Sequence, residues 1–298
     1  MIVDIVTGAT QGIGKAVAEF IALQRASTRN ENHALVLVGR SETRGLQARD
    51  DVRHLADGKA AFRVLFESCD LSDWQSVQAL PRKIEDQLKE PFQVGVLVNN
   101  AAECPVRQEW VQIPQRHDNG SVSTVSVDRQ FASNVLGYHF MIKAFEPYYH
   151  NEDGITQSHI VNVASTWAGG LDLHDVHFKR RGYDNDDAYR QSKQCNRMQT
   201  KYWSQCLQGK ALVNACHPGD PCTTLSKALG YNLYAGPPTW KQIANHSPFP
   251  VVCGLDPNNS LGNATGRWFV GRQPTRCSYE RMDREAQALH DLCDSFCV

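Results

Sequence analysis

The chain lacks several features that would place it in a specialised class of protein. Its 298 residues contain no apolar run near the ~18 residues that a bilayer span requires. The 31 basic and 32 acidic residues nearly cancel, so no broad basic field is available for nucleic acid or a membrane surface. No cationic, cleavable signal precedes the first apolar run, so we expect the ten cysteines to be reduced thiols of a cytoplasmic protein without a membrane anchor.

The cysteines and histidines do not form a recognisable metal motif. No Cys-x-x-Cys pair occurs, which argues against a zinc ribbon or a thioredoxin-type site. Cys293 and Cys297 lie one helical turn apart, and this spacing is better explained by one face of a C-terminal helix. His174 and His177 have no partner set of ligand type nearby. The sequence therefore predicts no metal site.

The first 100 residues alternate between short apolar runs and helical patterns. The runs occupy residues 2–6, 34–38, 61–66 and 94–98. Continuous Val/Ile/Leu runs separated by helices predict a parallel sheet that is covered on both faces. Right-handed crossovers then give a doubly wound fold.

The second half continues this pattern less regularly. We predict helices at about 127–149, 189–207 and 281–296, and strands at 159–163, 211–215 and 267–270. The chain is thus interpreted as one α/β Rossmann domain over residues 1–298, with about seven strands and helices on both faces. Residues 220–265 are rich in proline and glycine and predict a substrate-binding loop or lid. Their aromatics, Tyr231, Tyr234, Trp240 and Phe249, indicate an apolar pocket or simple packing of the lid.

A glycine-rich turn follows the first predicted strand and opens the first helix. Glycines there permit a tight turn and close backbone approach, so that free N–H groups can hold a pyrophosphate. After the second strand Arg40 stands where an NAD-binding chain would carry a carboxylate, and an arginine there can pair with a 2′-phosphate. We therefore predict NADP(H) as the cofactor. Asp70, just past the third strand, is placed to meet the adenine, although it could equally cap the next helix, a role for which Asp73 competes.

Tyr189 and Lys193 are four residues apart and share one helix face. A lysine near a tyrosine favours the phenolate, so we expect the pKa of Tyr189 to be lowered from about 10. Such a group can donate or accept a proton near neutral pH, as reversible carbonyl reduction requires.

Taken in order, these motifs resemble the short-chain dehydrogenase/reductase family over essentially the whole chain. Residues 7–14 match the family's TGxxxGxG turn, residues 99–102 its NNAG segment, and residues 218–223 its PGxxxT segment. The matches to its catalytic tetrad are Asn134, Ser165, Tyr189 and Lys193. The cofactor-binding residues that the turn and the resemblance together indicate are Thr7, Gly8, Gln11, Gly12, Ile13, Gly14, Arg40, Asp70, Leu71, Asn100, Ala101, Tyr189, Lys193, Pro218, Gly219 and Thr223.

The resemblance implies a role for each member of the tetrad. Tyr189 would be the general acid/base, and Ser165 would hydrogen-bond the substrate oxygen. Lys193 would bind the nicotinamide ribose and lower the pKa of Tyr189, while Asn134 would hold a water in a proton relay. Thr223 would contact the cofactor. A homodimer paired through the helices of Asn134 and Tyr189 is a further family expectation.

Finer features resemble the retinol dehydrogenase branch, which includes WW-domain oxidoreductase and protochlorophyllide reductase. Ser165 and Tyr189 are 24 positions apart, wider than in typical members, and the segments 172–176, 188–196, 266–269 and 283–292 also resemble this branch. Ala102 replaces the last glycine of NNAG, and Asp220-Pro221 fills positions that are usually apolar. These departures leave the catalytic groups in place.

The sequence thus predicts an NADP(H)-dependent oxidoreductase that interconverts a carbonyl and an alcohol in a small, partly apolar substrate. A non-catalytic NADP(H)-binding sensor or scaffold is the alternative from another class, and a photoreductase of the protochlorophyllide type is a third hypothesis. An intact tetrad favours the enzyme, because a sensor has no need of Tyr189 and Lys193 together.

Overall fold

A computed structural model describes residues 1–27, 32–56, 62–149, 157–230 and 236–298. Over these ranges the chain forms an eight-stranded sheet and a separate two-stranded hairpin. The strands are β1 (Ile2–Thr7), β2 (His33–Gly39), β3 (Arg63–Ser68), β4 (Gln93–Asn99), β5 (Trp110–Arg116), β6 (Val122–Asp128), β7 (Ser158–Val163), β8 (Ala211–His217), β9 (Trp268–Val270) and β10 (Gln273–Thr275). The main sheet has the order β10-β9-β8-β7-β4-β1-β2-β3, and only the pairing of β10 with β9 within it is antiparallel.

The helices follow the strands as crossovers and cover both faces of this sheet. They are α1 (Gly12–Ser27), α2 (Glu42–Leu55), α3 (Trp74–Gln78), α4 (Leu80–Leu88), α5 (Arg129–Phe131), α6 (Gly137–Ala144), α7 (Asn185–Cys206), α8 (Thr224–Ala228), α9 (Trp240–His246), α10 (Phe249–Val252) and α11 (Asp283–Asp294). A π-helical turn, Ala132–Leu136, joins α5 to α6, and a 3₁₀ turn covers Glu146–Tyr148. No helix in the described ranges is both long and apolar enough to cross a bilayer.

Two apolar layers, one on each side of the sheet, bury these elements. One contains side chains of α3, α4, α6, α7 and α11, and the other contains side chains of α1, α2, α9 and α10. The strands between them are almost fully buried, as their uninterrupted apolar runs predicted. The seven parallel strands confirm the predicted doubly wound fold.

The predicted helix at 127–149 is wrong at its start. Residues up to Asp128 belong to β6, which pairs with β5 around a turn in which Gly120 has φ +79°. Two hairpin signals are Val125 and Val127, which share one face of β6, and the Asp-Asn-Gly turn before the strand. Asp128 ends the strand and caps α5 by accepting a hydrogen bond from the Phe131 N–H.

Two other boundaries also differ from the prediction. The third strand begins at Arg63 rather than at residue 61, which lies outside the described residues. The irregular segment 220–265 contains the short helices α8, α9 and α10. Its aromatics Trp240 and Phe249 pack against the apolar layer of α1, which agrees with the packing alternative rather than with an apolar pocket. Tyr231 and Tyr234 lie outside the described residues.

Candidate active site

A cleft of about 630 Å³ lies at the carboxyl ends of β1 to β4. Strand order reverses there, because β2 and β4 lie on opposite sides of β1. The predicted cofactor-binding residues that line it are Gly8, Gln11, Gly12, Ile13, Arg40, Asp70, Leu71, Asn100, Ala101 and Thr223. Thr7, Gly14, Pro218, Gly219, Tyr189 and Lys193 do not line this cleft; their positions are described below.

The glycine turn is held closed by hydrogen bonds between β1 and the segment after β4. The Thr7 hydroxyl accepts from the N–H groups of Asn100 (2.9 Å) and Ala101 (3.1 Å), and the Asn100 amide donates to the Thr7 carbonyl (2.9 Å). Gly8 and Gly12 have φ of +65° and +59°, a conformation that side chains disfavour. This arrangement fits a dinucleotide, since Gly8 and Gly12 place no side chain between the cleft and the backbone at the start of α1.

Arg40 lies at the mouth of the cleft and is half exposed. Its guanidinium Nη2 donates to the Oε2 atom of Glu103 at 3.0 Å. The neighbouring Arg44 donates to the Gln11 side chain at 3.3 Å, so a second arginine also reaches the glycine turn. Sequence reasoning missed Glu103, because its proximity to Arg40 arises only when β2 and β4 flank β1.

Asp70 forms a local turn rather than a helix cap. Its carboxylate accepts from the N–H (3.0 Å) and hydroxyl (2.8 Å) groups of Ser72. Asp73 caps α3 instead, by accepting from the N–H of Gln75. Asp70 and Leu71 both line the cleft, and contact of Asp70 with the adenine stays a prediction.

Three of the tetrad residues meet at the carboxyl end of β7 and on α7. Ser165 lies just beyond β7 and is buried, and its hydroxyl accepts from the Trp167 N–H at 3.1 Å. Tyr189 and Lys193 share one face of α7, with the Lys193 Nζ 5.6 Å from the centre of the Tyr189 ring. All three side chains are more than nine-tenths buried.

The pKa of Tyr189 differs from the expectation. Burial raises the Tyr189 pKa well above its ordinary value, and a hydrogen bond from Ser165 only partly opposes this. Burial also lowers the pKa of Lys193 to about 7, and its ammonium donates to the Val163 carbonyl at 3.0 Å. The predicted lowering of the Tyr189 pKa is therefore wrong for this structure, because desolvation outweighs the hydrogen bond from Ser165.

Asn134 lies in the π-helical turn, an irregularity that is frequent at functional sites. Its side-chain Oδ1 accepts from the Glu103 N–H at 2.8 Å, and its Nδ2 donates to the Glu103 carbonyl at 2.9 Å. Its main-chain carbonyl accepts from Asn196 Nδ2 at 2.7 Å, while Lys193 Nζ donates to Asn196 Oδ1 at 3.3 Å. Asn196 therefore links Lys193 directly to Asn134.

Asn196 was not singled out from the sequence as a site residue. The available signal is its spacing, because a residue three positions after Lys193 lies on the same helix face. Its side chain is fully buried.

The segment between Ser165 and Tyr189 folds around the carboxylate of Asp175. Asp175 accepts from the N–H groups of Lys179 (2.7 Å), Arg180 (3.2 Å) and Arg181 (3.1 Å), and these bonds hold the pKa of Asp175 below its usual value against a desolvation that raises it. Arg181 also donates to the side chain of Gln191 on α7 at 2.6 Å. The main-chain N–H groups of the basic run 179–181 thus help to fix the fold of the segment between Ser165 and Tyr189.

The segment after β8 brings Thr223 over the glycine turn. Gly219, after Pro218, has φ +87° and redirects the chain toward the cleft. Thr223 caps α8 through reciprocal hydrogen bonds with Ser226. A Cβ placed on Gly12 would lie 3.8 Å from the Thr223 Cγ2 atom, so the two residues face each other.

A group of metal-ligand type lies away from this cleft, where the sequence predicted none. Donor atoms of His139, Asp294 and Cys297 lie within 4.8 Å of one another. The Lys143 ammonium contacts the Asp294 carboxylate and, with His139, holds the pKa of Asp294 below its usual range. The cluster is therefore interpreted as part of an ion pair in which Lys143 of α6 contacts Asp294 of α11.

Comparison with known proteins places these features in a wider context. A family model described as "short chain dehydrogenase" matches residues 3–231. Among curated proteins, retinol dehydrogenase 13 of Mus musculus is 30% identical and covers 94% of this chain and 79% of its own length. L-xylo-3-hexulose reductase of Hypocrea jecorina (strain QM6a) is 27% identical, over 80% of this chain and 70% of that protein.

Solved structures share the fold. A chain from Escherichia coli CFT073, assigned as a short-chain dehydrogenase and complexed with NADPH, matches with a TM-score of 0.58. It is 18% identical, and the alignment covers 90% of this chain and 95% of that one.

Proposed function

Because the chain belongs to the short-chain dehydrogenase family and is similar to its retinol dehydrogenase branch, we propose that it is an NADP(H)-dependent oxidoreductase acting on a carbonyl/alcohol pair. One observation carries this proposal. Ser165, Tyr189 and Lys193 come together in a buried cluster beside the cleft that begins at the glycine turn. A binding module would require the cleft but not this cluster.

The cofactor supplies the hydride, and the protein manages the proton. With its pKa raised by burial, Tyr189 carries its proton at neutral pH and is ready to act as the acid in carbonyl reduction. Ser165, which hydrogen-bonds Tyr189, would also bind the substrate oxygen as negative charge develops on it. In the oxidation direction Tyr189 must first lose its proton, which the raised pKa of the phenol opposes near pH 7.

Lys193, Asn196 and Asn134 form a continuous polar path from the tyrosine helix to the π-helical turn. Lys193 would hold the nicotinamide ribose, as the family resemblance implies. Asn134 would hold the relay water, and its amide is kept in place by two bonds to the Glu103 backbone. Asn196 would thereby hold Lys193 and Asn134 in position, while the water rather than these amides would carry the proton.

Preference for NADP(H) rests on the charges at the end of β2. Arg40 would pair with the 2′-phosphate, and Arg44 lies within reach of the same edge of the glycine turn. The E. coli structure complexed with NADPH supports this assignment for the fold. Thr7 and Gly14 would act indirectly, by holding the turn.

We propose a small, partly apolar substrate, without naming it from a relative. The curated relatives include both a retinol dehydrogenase and a hexulose reductase, whose substrates differ in polarity. Apolar groups of Pro105, Leu225, Ala228, Pro237 and Pro238 line the cleft beside its polar end. Residues 220–265 would act as the substrate-binding loop.

All ten cysteines are unpaired, which supports a reducing compartment such as the cytoplasm. Homodimer formation through the helices of Asn134 and Tyr189 stays a prediction. The chain's own α11 already packs on α6 and α7, where His290 stacks on Tyr202 with ring centres 4.0 Å apart. A partner would have to use the remaining surface of these helices.

The test follows NADPH absorbance with purified protein across aldehydes, ketones and quinones. We expect turnover with at least one carbonyl class, and a preference for NADPH over NADH that Arg40→Ala reduces by about 10-fold or more. Binding of NADPH without turnover on a broad panel would favour the sensor. An unchanged cofactor preference in Arg40→Ala would reject the NADP(H) assignment, and light-dependent turnover with a tetrapyrrole would favour the photoreductase.

A further inference from the structure

We infer that Glu103 is a specificity-determining residue that competes with the cofactor's 2′-phosphate for Arg40. This inference rests on the proposed use of NADP(H). Glu103 lies in the segment after β4, and Arg40 directly follows β2. Their ion pair, at 3.0 Å, is the feature that joins these two segments at the cleft.

Sheet order determines where this ion pair runs. Because β1 lies between β2 and β4, a contact between the segments after β2 and β4 must cross the carboxyl end of β1. The glycine turn begins there, and a Cβ on Gly8 would lie 2.8 Å from the Ala101 Cα, so the segment after β4 is packed against the turn. The guanidinium of Arg40 is thus drawn across the adenosine end of the cleft.

The two oxygens of Glu103 have different partners. Oε2 accepts from Arg40, whereas Oε1 accepts from the Ser133 hydroxyl at 2.5 Å and lies 3.5 Å from Arg129 Nε. Arg40 can therefore leave without depriving the largely buried carboxylate of all compensation. The Arg40 guanidinium can therefore move from the Glu103 carboxylate to a 2′-phosphate at a low cost in free energy.

Competition reduces the affinity for NADP(H). A 2′-phosphate must take Arg40 from Glu103 and must also approach a nearby carboxylate of the same sign. Arg40 is half exposed, so the ion pair itself is weak, and the effect on binding should be modest rather than prohibitive. NAD(H), which has no 2′-phosphate, leaves the ion pair between Arg40 and Glu103 in place. Glu103 therefore makes the preference for NADP(H) over NAD(H) smaller than Arg40 alone would produce.

The experiment measures dissociation constants for NADPH and NADH, and for the fragments 2′,5′-ADP and 5′-AMP, by calorimetry. Glu103→Gln keeps the backbone bonds to Asn134 and an oxygen for Ser133, but it removes the charge. We expect NADPH and 2′,5′-ADP to bind about 3- to 10-fold more tightly, with NADH and 5′-AMP within about twofold of wild type. In an Arg40→Ala background the same substitution should have little effect on 2′,5′-ADP.

Glu109→Gln is the matched control, because Glu109 also lines the cleft and loses the same charge. Equal tightening in this control, or undiminished tightening in the Arg40→Ala background, would assign the effect to general repulsion and overturn the inference. Glu103→Asp is a second variant that keeps the charge and shortens its reach, and it should give an intermediate gain. Unchanged or weaker 2′,5′-ADP binding in both Glu103 variants would also overturn the inference, while the proposed function would survive if wild type still prefers NADPH. If wild-type protein binds neither dinucleotide, both proposals fail.

Discussion

Substituting Gly14 with alanine tests whether α1 approaches the glycine turn as closely as the structure requires. A Cβ at this position would lie 2.4 Å from the Gly8 carbonyl oxygen and 2.5 Å from the Asn100 Nδ2 atom. A comfortable carbon–oxygen contact is about 3.3 Å, so the start of α1 must move by roughly 0.9 Å. The Gly8 oxygen belongs to the backbone and cannot rotate away.

We expect two consequences of Gly14→Ala. The free energy of unfolding should fall by about 1–3 kcal/mol, as for other insertions into packed sites, even though alanine favours helix more than glycine does. The dissociation constant for NADPH should rise at least ~10-fold, because the displaced helix carries the N–H groups of the proposed phosphate site. Urea denaturation and a fluorescence titration with NADPH measure these two quantities.

Gly182→Ala is the matched control, because a Cβ there meets no heavy atom within 4 Å and the residue has no positive φ. It should change stability by less than about 0.5 kcal/mol and leave NADPH binding unaffected. If Gly14→Ala were as stable and bound NADPH as tightly as this control, the close approach of helix and turn would be refuted.

Three further predictions concern the buried polar groups. Asp4 is fully buried and binds Arg25 through both oxygens, so Asp4→Ala should lower the free energy of unfolding by about 3–5 kcal/mol in urea denaturation, and a loss below ~1 kcal/mol would contradict this. Asn196→Ala removes the link between Lys193 and the π-helical turn, so it should lower the free energy of unfolding by about 1–3 kcal/mol and reduce kcat. An unchanged kcat would exclude the proposed positioning role of Asn196. Burial lowers the pKa of His159 to about 4, below the unfolded value near 6.5, so its contribution to stability is present above pH ~6.5 and is lost as pH falls toward 4. In urea denaturation, the free energy of unfolding should fall less between pH 7 and 4.5 for His159→Gln than for wild type. Equal losses in the two proteins would show that His159 does not contribute to the pH dependence of stability.

Much of the fold could be predicted because its strands are buried on both faces. Uninterrupted apolar runs such as 34–38 and 94–98 have few alternatives to a central parallel strand, and both fall within observed strands. The hairpin of β5 and β6 was missed, although Gly120 and the pair Val125 and Val127 indicated it. Its strands are largely exposed, so they lack the apolar runs by which the other strands were recognised.

The candidate site divides in the same way. Gly8, Gly12 and the pair Tyr189/Lys193 belong to local patterns whose spacing has a physical meaning along one turn or one helix. Glu103 could not be found in this way, because its partner Arg40 is 63 positions away and meets it only across β1. The pKa of Tyr189 was predicted with the wrong sign for a related reason. Helix spacing indicates a neighbouring charge, whereas the extent of burial depends on the whole fold.

The central claim is that Tyr189 transfers the proton in a reaction that the bound cofactor completes. The most direct measurement compares the NADPH-dependent turnover of Tyr189→Phe with that of wild type on the best carbonyl substrate. Tyr202→Phe serves as the control, because it removes a hydroxyl from the same helix, more than three turns away, where it accepts a hydrogen bond from Gln287. We predict that Tyr189→Phe still binds NADPH and loses about 10²–10⁴-fold in kcat, while Tyr202→Phe stays active. Turnover retained by Tyr189→Phe would contradict the account.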